Sequence, residues 1–200
     1  MGPYYFSALL HMFGAVESVQ ALAARGFEER TIYSEPHKGE KIQVEVPTHY
    51  AALLKMKNGM IVNMNFSFDI WKSTMPMMEV YGSDGTLCVP DPNMSGGIPK
   101  IYRREQALAK VIGGVDTGEG QFFALPELYQ NVGIYTRGLG VLDLARAIVN
   151  DTENLANGTM ATHVIEIITG IMESAKNGTV YSMKTDYKMF EDQEERSLLC

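Results

Sequence analysis

The sequence predicts an α+β fold: a large, mostly antiparallel sheet with helices packed on one face. Three observations predict it. Strand-like segments come in pairs joined by tight turns such as Lys57-Asn58-Gly59, rather than alternating with helices. Residues 61–69 alternate cleanly between apolar and polar side chains. Two segments of helical periodicity, 138–149 and 160–175, follow one another late in the chain. Strands joined as hairpins build antiparallel sheets, and helices segregated from them cover one side.

The chain opens with a helix. Pro3 suits a first turn, Tyr5, Leu9, Met12 and Phe13 recur near helical spacing, and Gly14 marks the stop. A strand follows from Val16 to Ala23. Ile42, Val44 and Val46 then alternate with Lys41, Gln43 and Glu45, which predicts a strand with one wet face, ended by Pro47. Residues 49–56 and 60–69 read as a hairpin, because Asn-Gly tolerates the positive φ of a tight turn. Val62, Met64, Phe66 and Phe68 share one face of its second strand, and Asn63, Asn65, Ser67 and Asp69 the other. A second hairpin joins Met78–Tyr81 to Thr86–Val89 through Gly82-Ser83-Asp84-Gly85.

Residues 93–134 are broken by glycine and proline and read as short strands within long loops. In the helix over 138–149, Leu142, Ala145, Ile148 and Val149 are expected inward and Asp143, Arg146 and Asn150 outward. In the helix over 160–175, Thr159 is the expected cap and Ala161, Val164, Ile165, Ile168, Ile171 and Met172 the inward face. Asn177-Gly178 ends it, a last strand runs from Thr179 to Met183, and residues 187–200 form a charged tail. Residues 1–186 are thus read as one domain.

Composition narrows the function. The chain has 200 residues, 46% hydrophobic and 20% charged, the profile of a globular protein. A net charge of −7, with no Lys/Arg cluster beyond Arg103-Arg104, argues against nucleic acid, whose binders need a basic face. No apolar run reaches the roughly 18–20 residues that span a bilayer. Cys88 and Cys200 make no disulfide framework, so a cytoplasmic location is expected.

Chemical motifs are sparse. Gly138-Leu139-Gly140-Val141-Leu142-Asp143 comes nearest to a dinucleotide fingerprint, but its last position is Asp and no βαβ unit surrounds it. His11, His37, His49 and His163 show no metal-ligand spacing. His163, Glu166 and Glu173 share one side of their helix, either a solvated face or the wall of a cleft. The row Asn63, Asn65, Ser67 and Asp69 is either an ordinary wet face or a surface for another subunit. Tyr4 reads first as a packing residue, since a tyrosine's ordinary pKa of about 10 suits neutral proton transfer only beside a cation.

An ordered series of short stretches carries a resemblance. It runs Met1-Gly2-Pro3-Tyr4-Tyr5; Arg30-Thr31-Ile32 with Ser34-Glu35-Pro36; and Val44-Glu45-Val46-Pro47-Thr48-His49. It continues with Phe68-Asp69-Ile70-Trp71; Tyr81-Gly82-Ser83-Asp84-Gly85-Thr86-Leu87; Val89-Pro90-Asp91-Pro92-Asn93; and Arg137-Gly138-Leu139-Gly140-Val141, and it ends with the His163 helix. Over about residues 1–183 the chain resembles the C-terminal domain of the glucose–fructose oxidoreductase/inositol dehydrogenase (Gfo/Idh/MocA) family. The resemblance implies a substrate-binding and oligomerisation domain of an NAD(P)-dependent oxidoreductase acting on a sugar, polyol or related hydroxy compound. It implies NAD or NADP in the intact enzyme, held by an N-terminal Rossmann domain that this chain lacks, so that the chain alone binds no cofactor and is inactive. It implies a homo-oligomer formed through the open sheet face.

The family's catalytic segment resembles Asp-x-Gly-x-His; Gly2 matches its glycine and Tyr4 falls at the histidine. Tyr4 is accordingly the implied proton donor, and Arg137, His163 and Trp71 are the implied substrate contacts. The motif's Asp, and the Lys of a Glu-Lys-Pro stretch in the Rossmann domain, are absent here. The rival reading is a non-enzymatic, self-associating sheet domain for assembly or small-molecule binding.

Overall fold

The computed structural model describes residues 1–94, 96–113, 121–126 and 138–189. They divide into two compact units, one built from Met1–Ser73 with the stretch from Glu153 onward, the other from Thr74–Thr152. The class is α+β, and every strand pair is antiparallel. The strands fall into two four-stranded sheets and one two-stranded sheet.

In the first unit, helix α1 (Gly2–Phe13) leads into β1 (Val16–Ala24). The short pair β2 (Glu29–Thr31) and β3 (Lys41–Gln43) precedes the hairpin of β4 (His49–Met56) and β5 (Ile61–Ser67). The hairpin turns where expected, with Gly59 at φ 90°, a conformation that glycine adopts without a Cβ penalty. Alternation sends Ala52, Leu54 and Met56 inward and Leu53 and Lys55 outward. Register extends both faces across the sheet. On the inner face Val19 pairs with Leu54 and Leu54 with Val62; on the outer face Gln20 pairs with Leu53 and Leu53 with Asn63.

The inner face meets Phe6, Leu9 and Leu10 of α1, along with a long helix near the end of the chain. Phe66 anchors α1, its ring 5.5 Å from that of Tyr5 and 5.6 Å from that of Phe6. Both helices therefore cover one side of this sheet, and within this unit no described element covers the other side.

The expected strand over 42–46 is shorter. Only Lys41–Gln43 pairs, because its partner β2 has just three residues. Val44 is buried, while Ile42 and Val46 are 48% and 61% exposed, with nothing laid over them among the described residues.

In the second unit, β6 (Met78–Gly82) and β7 (Gly85–Val89) form the expected hairpin. β8 (Lys100–Arg103) extends that sheet, helix α2 (Arg104–Gly113) follows, and β9 (Phe123–Ala124) completes the sheet order β6-β7-β8-β9. The reading of 93–134 as strands in loops missed α2. Its signal was present: Arg104, Glu105, Gln106, Ala107 and Leu108 are all strong helix formers.

Helix α3 (Gly138–Asn150) corrects the expected orientation, because its buried residues are Asp143 and Ala147. Leu142, Ile148 and Val149 are exposed at 39%, 72% and 81%, the reverse of the hydrophobic reading.

The long helix of the first unit, α4 (Gly158–Asn177), starts at an Asn157 cap rather than at Thr159: the Asn157 side chain accepts from the Met160 amide at 2.8 Å. It stops at Gly178 in the left-handed conformation. Its inward face is Met160, His163, Val164, Ile167, Gly170, Ile171 and Ser174. Ala161, Ile165 and Met172, expected inward, are exposed. The true stripe lies one step around the helix from the expected one, and His163 lies on it. Strand β10 (Tyr181–Ser182) then pairs with β1, giving the order β10-β1-β4-β5.

Candidate functional site

Tyr4 stands in the first turn of α1. Its neighbours Tyr5 and Phe6 turn inward at 8% and 4% exposure, and a rotation of about 100° per residue leaves Tyr4 56% exposed. No hydrogen bond to its hydroxyl forms among the described residues. Trp71 lies beyond β5 and is 93% exposed. Arg137 lies outside the described residues.

His163 is fully buried. It does not belong to a polar helix face with Glu166 and Glu173, as its spacing suggested. The Val16 amide donates to Nε2 at 3.1 Å, so Nδ1 carries the proton and donates to the Thr185 hydroxyl at 2.8 Å. Thr185 in turn donates to a carboxylate oxygen of Glu166. Glu166 also accepts from the Thr185 amide at 2.7 Å, the Lys184 amide at 2.8 Å and the Tyr181 hydroxyl at 3.1 Å. Burial alone would raise the pKa of Glu166; these donors outweigh it and hold the carboxyl at about 2. Burial pushes His163 below its ordinary range, against the pull of Glu166 and Asp186, while Lys57 adds to the downward shift.

Both ring nitrogens of His163 are thus used inside the fold, and the residue sits at the opposite end of α1 from Tyr4. The nine steps from Tyr4 to Phe13 alone span about 14 Å at a rise of 1.5 Å per residue. The structure brings His163 to Thr185 and Glu166, not to Tyr4.

A second cluster unites pieces far apart in sequence. Asp69, just past β5, accepts from the Thr48 hydroxyl at 2.6 Å and the Gly26 amide at 3.2 Å, and pairs with Arg30 at 2.5 Å. The Thr48 hydrogen bond leads in holding the Asp69 carboxyl below its ordinary value, with Arg30 and Gly26 helping against burial. Arg30 also donates to the Phe68 carbonyl at 2.9 Å, which fixes the segment leading to Trp71. Sequence reasoning placed Asp69 in a polar surface row; the row ends at Ser67, and Asp69 closes a structural knot. The hint was a lone carboxylate at the end of an otherwise uncharged row.

A shallow depression of about 560 Å³ lies at the N-terminus of α4, lined by Gly158, Thr159, Thr162, Thr185 and Asp186. None of the expected site residues lines it. Among the described residues no group of three potential ligands could hold a metal ion, and no helix is long and apolar enough to cross a membrane. No parallel βαβ unit occurs among them either.

Residues 1–88 match the sequence model of the GFO/IDH/MocA C-terminal domain. Over those residues the chain is similar to Gfo/Idh/MocA C-terminal domains. No curated protein matches the chain in sequence. Among solved structures, an NAD-binding oxidoreductase from Klebsiella pneumoniae aligns with a TM-score of 0.65 at 19% identity, over 92% of this chain and 50% of that one. Levoglucosan dehydrogenase in complex with NADH and levoglucosan aligns with a TM-score of 0.67 at 13% identity, over 92% and 49%. An aldose-aldose oxidoreductase from Caulobacter crescentus complexed with glycerol aligns at 0.59 and 15% identity, over 91% and 46%. At these identities the likeness is one of fold. The chain spans about half the length of each structure.

Proposed function

We propose that this Gfo/Idh/MocA domain is the substrate-binding and oligomerisation half of an NAD(P)-dependent oxidoreductase acting on a sugar, polyol or related hydroxy compound. The observation that carries the reading is the alignment of more than nine-tenths of the chain with half of oxidoreductases described as binding NAD or NADH. On this reading the nicotinamide is held by a second, Rossmann-type domain. What these residues contribute is orientation of the substrate and movement of a proton.

Tyr4 is the proposed proton-exchanging group. It is exposed at the start of a helix whose other face is buried, so its position is fixed while its hydroxyl stays accessible. Trp71 and Arg137 are the proposed substrate contacts. His163 takes a different place: with both nitrogens occupied, it acts by positioning the junction of α1 and β1. The open face of the β10-β1-β4-β5 sheet is the proposed surface between subunits. It presents Leu22, Leu53 and Ile61 at 74%, 52% and 62% exposure, beside the amides Asn63 and Asn65. That face favours self-association under the non-enzymatic reading as well.

The test is a protein that joins this domain to its dinucleotide-binding partner, screened for oxidation of a polyol panel with both nicotinamide cofactors. Tyr4→Phe is expected to lower kcat by about 10²–10⁴, the usual contribution of a proton-transfer group, with little change in KM. Full activity of Tyr4→Phe would remove Tyr4 from the chemistry. Inactivity of the joined protein on every polyol would favour the assembly reading.

A further inference from the structure

Residues 183–187 run as a strap beneath α4 and hold the core closed at that end. Tyr187 is 4% exposed within the core, and Met183 packs against it. The Met183 amide donates to the Glu17 carbonyl at 2.9 Å, and the Lys184 and Thr185 amides donate to Glu166. Asp186 pairs with Lys57 of the β4–β5 turn at 2.6 Å. His163 joins this strap to β1, because one nitrogen accepts from Val16 and the other donates to Thr185.

We propose that His163 is a proton-operated latch: protonation at Nε2 turns the acceptor of the Val16 amide into a second donor, and the strap of residues 183–187 is released from β1 and α4 before the rest of the core opens.

The geometry forces this behaviour. Nε2 has one lone pair, and the Val16 N–H already points at it. A proton there sets donor against donor in a site with no exposure to water. The charged groups facing the ring are Glu166 on α4, Asp186 on the strap and Lys57 on the β4–β5 turn. Glu166 already receives four hydrogen bonds, and Asp186 is engaged by Lys57, so neither is free to turn toward an imidazolium.

The sign follows from linkage. His163 binds its proton less readily folded than unfolded, so its contribution is complete above the unfolded pKa of about 6.5 and is lost as pH falls below that value. Glu166 acts lower, its contribution complete above about 4.5 and lost as pH falls toward about 2.

Amide hydrogen exchange of the 200-residue chain tests the latch, followed by NMR from about pH 8 to about pH 5 and corrected for intrinsic exchange. Protection at Val16, Lys184 and Thr185 is expected to fall by up to about tenfold per pH unit below about 6.5, the slope of one proton taken up on opening. Protection at Ala52 and Leu54, which exchange only when the whole unit opens, is expected to decline in parallel, because the unfolded ring takes up the same proton, and to stay well above that of the strap at every pH. His163→Gln keeps an acceptor for Val16 without a titrating group and is expected to flatten the slope.

Protection factors at Val16, Lys184 and Thr185 equal to those at Ala52 and Leu54 would mean global unfolding and overturn the latch, as would a flat profile at Val16 or an undiminished slope in His163→Gln. If that variant does not fold, ¹⁵N signals of His163 in the unaltered chain decide. They should show the Nδ1-protonated ring, with a titration midpoint that coincides with the loss of Val16 protection; a mismatch rejects the proposal.

Discussion

Ser174 is 1% exposed on the inner stripe of α4, and it does for one end of β1 what His163 does for the other. Its hydroxyl accepts from the Ala21 amide at 3.0 Å and donates to the Thr179 carbonyl at 2.6 Å. Replacing it with alanine orphans the buried Ala21 amide and takes one partner from the Thr179 carbonyl at the exposed end of the helix. Ser174→Ala is expected to destabilise the first unit by about 1–3 kcal/mol, read from urea unfolding, although the change removes a single oxygen. A loss below a few tenths of a kcal/mol would show that water reaches this site. Neither His163 nor Ser174 was legible as a strand partner. Spacing along α4 shows which residues share a face, and the apolar count around them pointed to a stripe one step away from the true one. A polar side chain used up by backbone amides leaves no trace in sequence.

At the scale of elements, α4 and β1 are matched in length. His163 and Ser174 are eleven residues apart on the helix, about 16 Å, and Val16 and Ala21 are five apart on the strand, also about 16 Å. The odd separation would normally send the two amides to opposite edges. The register shift between Val16 and Ser18 restores them to one edge. The cap of α4 offers a direct check. Asn157→Ala is expected to cost about 1 kcal/mol and lower Tm by about 2–4 °C, whereas Thr159→Ala leaves Tm unchanged. The hairpins were legible because their turns carry their own chemistry: Asn58-Gly59 needs no knowledge of the rest of the molecule. α2 and the inner face of α3 were not. A short unbroken run of helix formers was outweighed by the glycines on either side of it in the one, and the apolar side of the other is not the side that its unit buries.

At the scale of the whole molecule, the α+β class and the likeness to Gfo/Idh/MocA C-terminal domains could be read from the order of the pieces, since each occupies its own hairpin or helix. How those pieces meet could not. Arg30, Thr48 and Asp69 come from three separate stretches and form one knot that no local pattern announces. The open sheet face carries the expectation of self-association. Sedimentation equilibrium should find the chain assembled, and Leu53→Arg, placed where the register puts Leu53 between Gln20 and Asn63, should yield monomers without lowering Tm. Monomers in the unaltered chain, or assembly that survives Leu53→Arg, would move the contact elsewhere.

The bulged margin of β1 has a further consequence. Helix side chains and the two-residue β10 occupy the amides along that border, so no incoming strand can dock there. The opposite border, Ile61–Ser67 of β5, has no strand alongside it among the described residues. The longer free border is that of β5, so a segment grafted there would enlarge the sheet without displacing the helix side chains that hold β1.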